Sequence, residues 1–270
     1  MKNYLRFIIP VMLFVTFGFT FREQGNVYDK NVFGCGEKLE FRVHYGFINA
    51  GEATIQIYPQ MYKVNNLVCY KAEVSGRSVG AFDLALRIRD EWVTYMDTST
   101  TSPQKFYRDV EEGKYRLKEF VHYDYAKDVA TVDREGKNGK DKSRKEYAIT
   151  KDVQDIVSGF YFLRTINFNK MKVGDTIRTI AFFEDKTYDF RIRFLGKGII
   201  DTKFGEISAI KLSPIMPDNK LFEGGSSIRM WISDDKNKIP VKIEADMFVG
   251  AVEMDLKSYR GLRYPITFKD

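Results

Sequence analysis

From Lys38 the chain reads KLEFRVHY, which puts Leu39, Phe41, Val43 and Tyr45 on one side of an extended backbone and Glu40, Arg42 and His44 on the other. Successive side chains of a strand point to opposite faces, so this period of two predicts a half-buried β-strand. The alternation returns in EATIQIY, NNLVCYKAEV, RIRDEWVTYMD, the hairpin PQKFYRDVEEGKYRLKEFVHYDY and the tail RMWISDDKNKIPVKIEADMFVGAVEMDLKSYRG. Short breaks rich in Gly, Asn and Asp separate the runs, and strands joined so closely pair antiparallel. About a dozen such strands cannot remain flat, because a sheet of that width curls, closes or splits. The expected fold is mainly β: a curved or barrel-like antiparallel sheet with one central helix packed on it. Aromatic residues make up 15% of the chain, which suits a pleated, half-buried surface.

The helix is expected in DVQDIVSGFYFLRTI, residues 152–166, with Asp152 as its cap and Asp155 in its first turn. On a helical wheel Val153, Ile156, Val157 and Phe160 gather on one side, within about 60° of Val153. Arg164 falls at about 20°, inside that apolar face. Its guanidinium must either snorkel from the last turn or meet buried acceptors. Two strand charges share the same predicament. Asp90 lies on the face of Ile88, Trp92 and Met96, and Arg108 on the face of Phe106 and Val110. An isolated buried charge is very costly, so Asp90 is expected to pair with Arg164 or Arg108 inside the curve. Asp90, Arg108 and Arg164 therefore form the expected buried polar cluster and candidate ligand-binding site.

The first twenty residues carry Lys2 and Arg6 ahead of the apolar run from Phe7 to Phe19, the layout of a secretory signal peptide. The run is short for a membrane span, so no transmembrane segment is expected in the mature chain. The expected division is a signal peptide at 1–20, a linker at 21–32 and one mainly β domain at 33–270. The chain has 43 basic and 37 acidic side chains, a net charge of +6. Six of the basic and two of the acidic groups lie in REGKNGKDKSRK, from Arg134 to Lys145. That segment lacks aromatics for stacking on bases, so it reads as a solvated hairpin tip, and nucleic acid is rejected as a partner. Cys35 and Cys69 are the only cysteines. A meander over residues 37–75 sets them two strands apart, roughly 9–10 Å, which argues against a disulfide bridge.

No catalytic constellation emerges. His44 and His122 are the two histidines, and neither has a second ligand at zinc spacing. SGRSVG and VSGF are not nucleophile elbows, and KVGDT and EGGSS precede no helix that would cradle a phosphate. The acid pairs Glu111–Glu112 and Asp234–Asp235 fall in expected turns. Neither a metal nor a cofactor is expected, and enzymatic activity is not expected either.

The segments GEKLEFRVHYGFINAGEATIQI, GRSVGAFDLALRIRDEW, FYRDVEEGKY, DVQDIVSGFYFLRTI and RMWISDDKNKIPVKIEADMFVGAVEMDL follow one another between Gly36 and Leu256. Together they resemble the bacterial family called domain of unknown function 3108. The resemblance implies a mainly antiparallel β fold and an exported protein of the Gram-negative envelope, in the periplasm or the outer envelope. It implies no activity and no catalytic residue. The residues themselves leave three readings: a carrier holding an apolar or amphiphilic ligand such as a lipid, a structural module with an envelope protein partner, and a hydrolase assembled from distant strands.

Overall fold

A computed structural model describes residue 29 and residues 31–136, 142–215, 227–247 and 250–269. The expected signal peptide lies outside the described residues, as do residues 137–141 of the basic hairpin tip and most of EGGSS. Eight strands follow each other as an antiparallel meander: β1 (Lys38–Tyr45), β2 (Ile48–Val64), β3 (Leu67–Ser78), β4 (Ile88–Asp97), β5 (Pro103–Glu112), β6 (Tyr115–Asp124), β7 (Val129–Glu135) and β8 (Ser143–Ala148). A second series begins with the short β9 (Val153–Gln154) and, after the central helix, runs through β10 (Thr176–Phe183), β11 (Lys186–Thr202), β12 (Gly205–Pro214), β13 (Ile228–Ser233), β14 (Pro240–Asp246) and β15 (Ala251–Arg260). β15 pairs antiparallel with β1, so the two series join into one sheet of fifteen strands with β8 and β9 at its edges. Pro240 opens β14, where its missing N–H breaks no ladder.

Inward positions alternate as the sequence pattern requires: Leu39 and Phe41, Ile55 and Ile57, Phe190, Ile192 and Phe194 are all buried in one continuous core. The sheet bends until its two ends face each other. Contact there is by side chains: Arg134 on β7 meets Asp185 in the β10–β11 turn at 2.6 Å, and the rings of Tyr147 on β8 and Phe182 on β10 lie 5.8 Å apart. The barrel-like shape is therefore closed by an ion pair and an aromatic contact.

Among the described residues there are two α-helices. The short α1 (Gly80–Ala85) links β3 to β4, where the sequence shows only a helical turn. The central helix α2 (Ile156–Arg164) is shorter than expected at both ends. Val153 and Gln154 are not helical, because they pair in parallel with Ile180 and Ala181 as β9. The cap is accordingly Asp155 and not Asp152. Its carboxylate accepts from Val157 N at 2.8 Å and Ser158 N at 2.7 Å, while Ser158 Oγ accepts from Asp155 N. This reciprocal capping satisfies backbone donors that would otherwise be orphaned inside the fold. Val157, Phe160 and Leu163 are buried, so the helix is the apolar plug of the bowed sheet, against β3, β4 and β10. Burying each of these side chains contributes roughly 1.5–3 kcal/mol.

Val32 and Phe33, at the boundary of the expected linker, also belong to the core. Cys35 and Cys69 are both free. Tyr70 packs inward on Phe33, so the adjacent Cys69 points to the other face of β3 and cannot reach Cys35.

Arg164 does not snorkel. It is fully buried, and its guanidinium grips Glu37 in two bonds of 2.5 and 2.8 Å while Nε donates to Asn237 O at 3.0 Å. Phe33, Phe160 and Tyr161 surround it, with ring centroids 5.3–5.7 Å from Cζ. Glu37→Gln leaves this cation in the core without its counter-charge and is expected to cost about 3–5 kcal/mol of unfolding free energy. Urea denaturation checks it; a loss below about 1 kcal/mol would mean that the charge is not desolvated.

Candidate functional site

Strands β4 to β7 bring one inward residue each into a single row. Trp92 stands opposite Arg108, Arg108 opposite Glu119, and Glu119 opposite Arg134. Directly opposed side chains in an antiparallel sheet touch, so the row becomes a ladder of alternating charge. Glu119 Oε1 lies 2.9 Å from Arg108 Nε, and Arg134 Nε donates to Glu119 Oε2 at 2.5 Å. Arg134 Nη1 continues to Asp185 Oδ2. Burial pushes the Asp185 carboxyl up, but the bonds from Arg134 and Tyr147 hold it below the usual carboxylate range.

The β10–β11 turn covers this row. Phe183 stacks on Trp92 with centroids 5.9 Å apart and planes 24° from parallel, and its ring centre lies 4.9 Å from the Arg108 guanidinium. The turn residues Glu184 and Asp185 have φ of 47° and 68°, a left-handed conformation that costs a non-glycine residue roughly 1–2 kcal/mol. The contacts of Asp185 with Arg134 and of Phe183 with Trp92 hold the strained turn over the ladder.

Asp90 lies two residues before Trp92 on the same face and opposite Val110. Its Oδ1 accepts from Glu111 N at 3.1 Å, and Oδ2 has no partner. Burial pushes its carboxyl up to about 7, against the opposing pull of the nearby Arg108 charge. Trp92 Nε1 is also buried without a partner. Further along this interior the Tyr123 hydroxyl is buried and unpartnered as well, whereas Thr94 donates to the helix cap Asp155 at 2.5 Å.

The expected cluster thus divides. Asp90 and Arg108 are neighbours, near the end of the sheet where β4 starts. Arg164 sits at the opposite end, beside the start of β1 and the β13–β14 turn, and its partner is Glu37 rather than Asp90. Arg108 is paired with Glu119. Glu37, Glu119, Arg134 and Asp185 are the polar residues that sequence reasoning missed. Glu119 carries a legible signal, since it shares the face of Val121 and Tyr123 in β6. Arg134 looked like part of a solvated basic tip, and only the arrival of Asp185 from fifty residues away buries its head. Among the described residues no cluster of His, Cys, Asp and Glu could hold a metal ion. His44 instead faces Asp255 at 3.2 Å. No described helix is long and apolar enough to cross a membrane.

Between about pH 4 and pH 7 folded Asp90 holds a proton that the unfolded chain releases, so its contribution to stability is present at acid pH and lost as pH rises through about 7. Asp90→Asn keeps the side chain neutral at every pH. It is expected to raise the unfolding free energy relative to the parent at pH 8 by ~1–3 kcal/mol, read by urea denaturation, and to leave it nearly unchanged at about pH 4. Equal effects at both pH values would contradict the desolvated carboxyl.

Comparison with solved structures gives a β-barrel-like protein of domain of unknown function DUF1849 from Brucella abortus, at 10% identity, TM-score 0.55, and coverage of 85% of this chain and 98% of that one. At that identity the likeness concerns the fold. A putative exported protein with a YmcC-like fold from Bacteroides fragilis aligns at 10% identity and TM-score 0.36, over 84% of this chain and 97% of that one. A hypothetical protein from Chlamydia trachomatis aligns at 7% identity and TM-score 0.39, over 91% and 96%. No curated protein matches the sequence. The family described as protein of unknown function (DUF3108) matches residues 40–257, and the chain belongs to that family.

Proposed function

We propose that this is an exported protein of the Gram-negative envelope that binds an amphiphile under the β4–β7 part of its bowed sheet, without catalysing a reaction. The carrying observation is the pair of buried, unpartnered polar atoms on one face of β4, Asp90 Oδ2 and Trp92 Nε1. Buried polar groups normally find partners, so an acceptor and a donor left open side by side call for a guest. Same-face neighbours along a strand lie about 7 Å apart, a gap that one hydroxyl or amide group spans by accepting from the indole and donating to the carboxylate. The wall beside them is apolar, with Val110, Phe106 and Val121, and suits the rest of such a molecule. The charges of the ladder are paired with one another and serve to hold this wall in place. Export rests on Lys2, Arg6 and the apolar run behind them.

A second reading has its own support. Helix α2 and the Arg164–Glu37 pair occupy the rest of the concavity, which favours a solid scaffold presenting its surface to an envelope protein partner. Mass spectrometry of organic extracts separates the two. Protein purified from its host is expected to release a stoichiometric amphiphile with a hydroxyl or amide head. The Asp90→Asn/Trp92→Phe variant should yield at least about tenfold less, the loss of two buried bonds. An empty extract from the parent protein would leave the scaffold reading standing and remove the carrier.

A further inference from the structure

Two large apolar side chains stand almost bare at one end of the sheet: Phe47 is 98% exposed and Leu84 92%. Phe47 is the tip of the two-residue turn between β1 and β2, and Leu84 lies on α1. The two elements are held together, since Val79 N donates to Ala50 O and α1 packs on β2. Tyr45 and Phe82 meet behind them with ring centroids 6.1 Å apart, and Ile48 adds a partly exposed side chain. The β5–β6 turn adjoins the same rim through the bond from Gly113 N to Arg87 O. Other exposed apolar residues lie elsewhere: Val173 before β10 and Ile199 in β11 are 73% and 63% exposed, and Met61, Leu67 and Val68 are each about half covered along the β2–β3 strands.

Charge surrounds the apolar tips unevenly. The neighbouring acids are neutralised locally, Glu52 by Arg77 and Lys257, Asp83 by Arg89, and Glu111 by Arg116. Arg42, Arg87 and Lys114 are exposed and make no ion pair with any described residue. Arg42 lies three residues behind Tyr45, about 10 Å down the strand. The rim thus presents apolar tips in front and exposed cations without a close ion pair set back from them.

We propose that this rim docks on the surface of a bilayer containing anionic phospholipid. Phe47 and Leu84 enter the boundary between headgroups and acyl chains, and Arg42, Arg87 and Lys114 meet lipid phosphates. The depth matches: interfacial apolar groups sink about 5–10 Å, which brings cations one strand segment behind them to headgroup level. A protein partner fits less well. A phenyl ring buries roughly 150–250 Å², whereas a stable protein interface needs on the order of 1,600 Å² of flat, complementary surface. Separate protruding tips suit a fluid layer that closes around each one. The inference stands on the rim alone and is independent of what the interior binds.

Vesicle flotation tests it, using the protein as purified from its host. The parent is expected to float with vesicles of phosphatidylglycerol and phosphatidylethanolamine, and weakly or not at all with phosphatidylcholine alone. Phe47→Ser/Leu84→Ser should weaken partitioning at least about tenfold, because the buried apolar area is lost. Arg42→Gln/Arg87→Gln/Lys114→Gln should weaken it about fivefold per charge and remove most of its salt sensitivity. All five changes are on exposed side chains, and unchanged melting curves confirm intact folding. Equal flotation of the parent and the serine variant would overturn the proposal, since it would assign membrane contact to another part of the chain. Self-association of the parent in sedimentation velocity, abolished by the serine changes and unaccompanied by vesicle binding, would overturn it in favour of a second copy of the chain.

Discussion

A guanidinium with no access to water is the constraint on which the remaining structure hangs. Arg164 ends the central helix inside the fold, where its charge is tolerable only with a carboxylate in bidentate contact and carbonyls on its remaining N–H groups. Glu37 immediately precedes β1, and Asn237 lies in the turn between β13 and β14. One side chain therefore ties the helix to the start of the first strand and to a turn near the end of the chain. β1 pairs on one side with β2 and on the other with β15, so the point where the two strand series join is also where the charge is neutralised.

The opposite end of the interior is built differently. There the row Arg108, Glu119, Arg134 and Asp185 alternates in sign, and each carboxylate has a cation within bonding distance. Such a row adds little net stability, but it aligns four separate elements, including a hairpin turn held in left-handed backbone conformation. Asp90 and Trp92 beside it are not completed. The ladder residues are paired by charge, whereas β4 leaves one donor and one acceptor open on neighbouring same-face positions, where a single group can meet both. Unpartnered buried atoms on Tyr123, Gln154 and Tyr161 lie apart from them. That contrast, more than any residue type, distinguishes a candidate ligand contact from a structural ladder. It also agrees with a belt of apolar tips and cations at the same end of the sheet, where a molecule drawn from a membrane would arrive.

Much of the fold was legible because local physics decides it. Period-two alternation marks the strands, and a 3.6-residue apolar stripe marks the helix and places Arg164 within its buried face. The errors lie where a competing interaction arises from elsewhere. Val153 and Gln154 have a helical pattern, yet β10 supplies a pairing partner and takes them into the sheet. Asp155 then becomes the cap in place of Asp152. Arg134 sits in a strongly basic, glycine-rich stretch, and composition alone assigns it to solvent.

By itself, then, the sequence determines that the chain is a bowed antiparallel sheet around one helix, and that Asp90, Arg108 and Arg164 lie on faces that are otherwise apolar. Those conclusions depend on neighbours within a few positions along the chain, where geometry follows from bond lengths and side-chain alternation. Which charge meets which was decided only by tertiary structure. Glu37 and Arg164 are separated by more than a hundred residues, and the strength of their attraction comes from the dry interior that folding creates around them. No pattern along a strand records that environment, because the low dielectric and the partner both exist only once the sheet has closed.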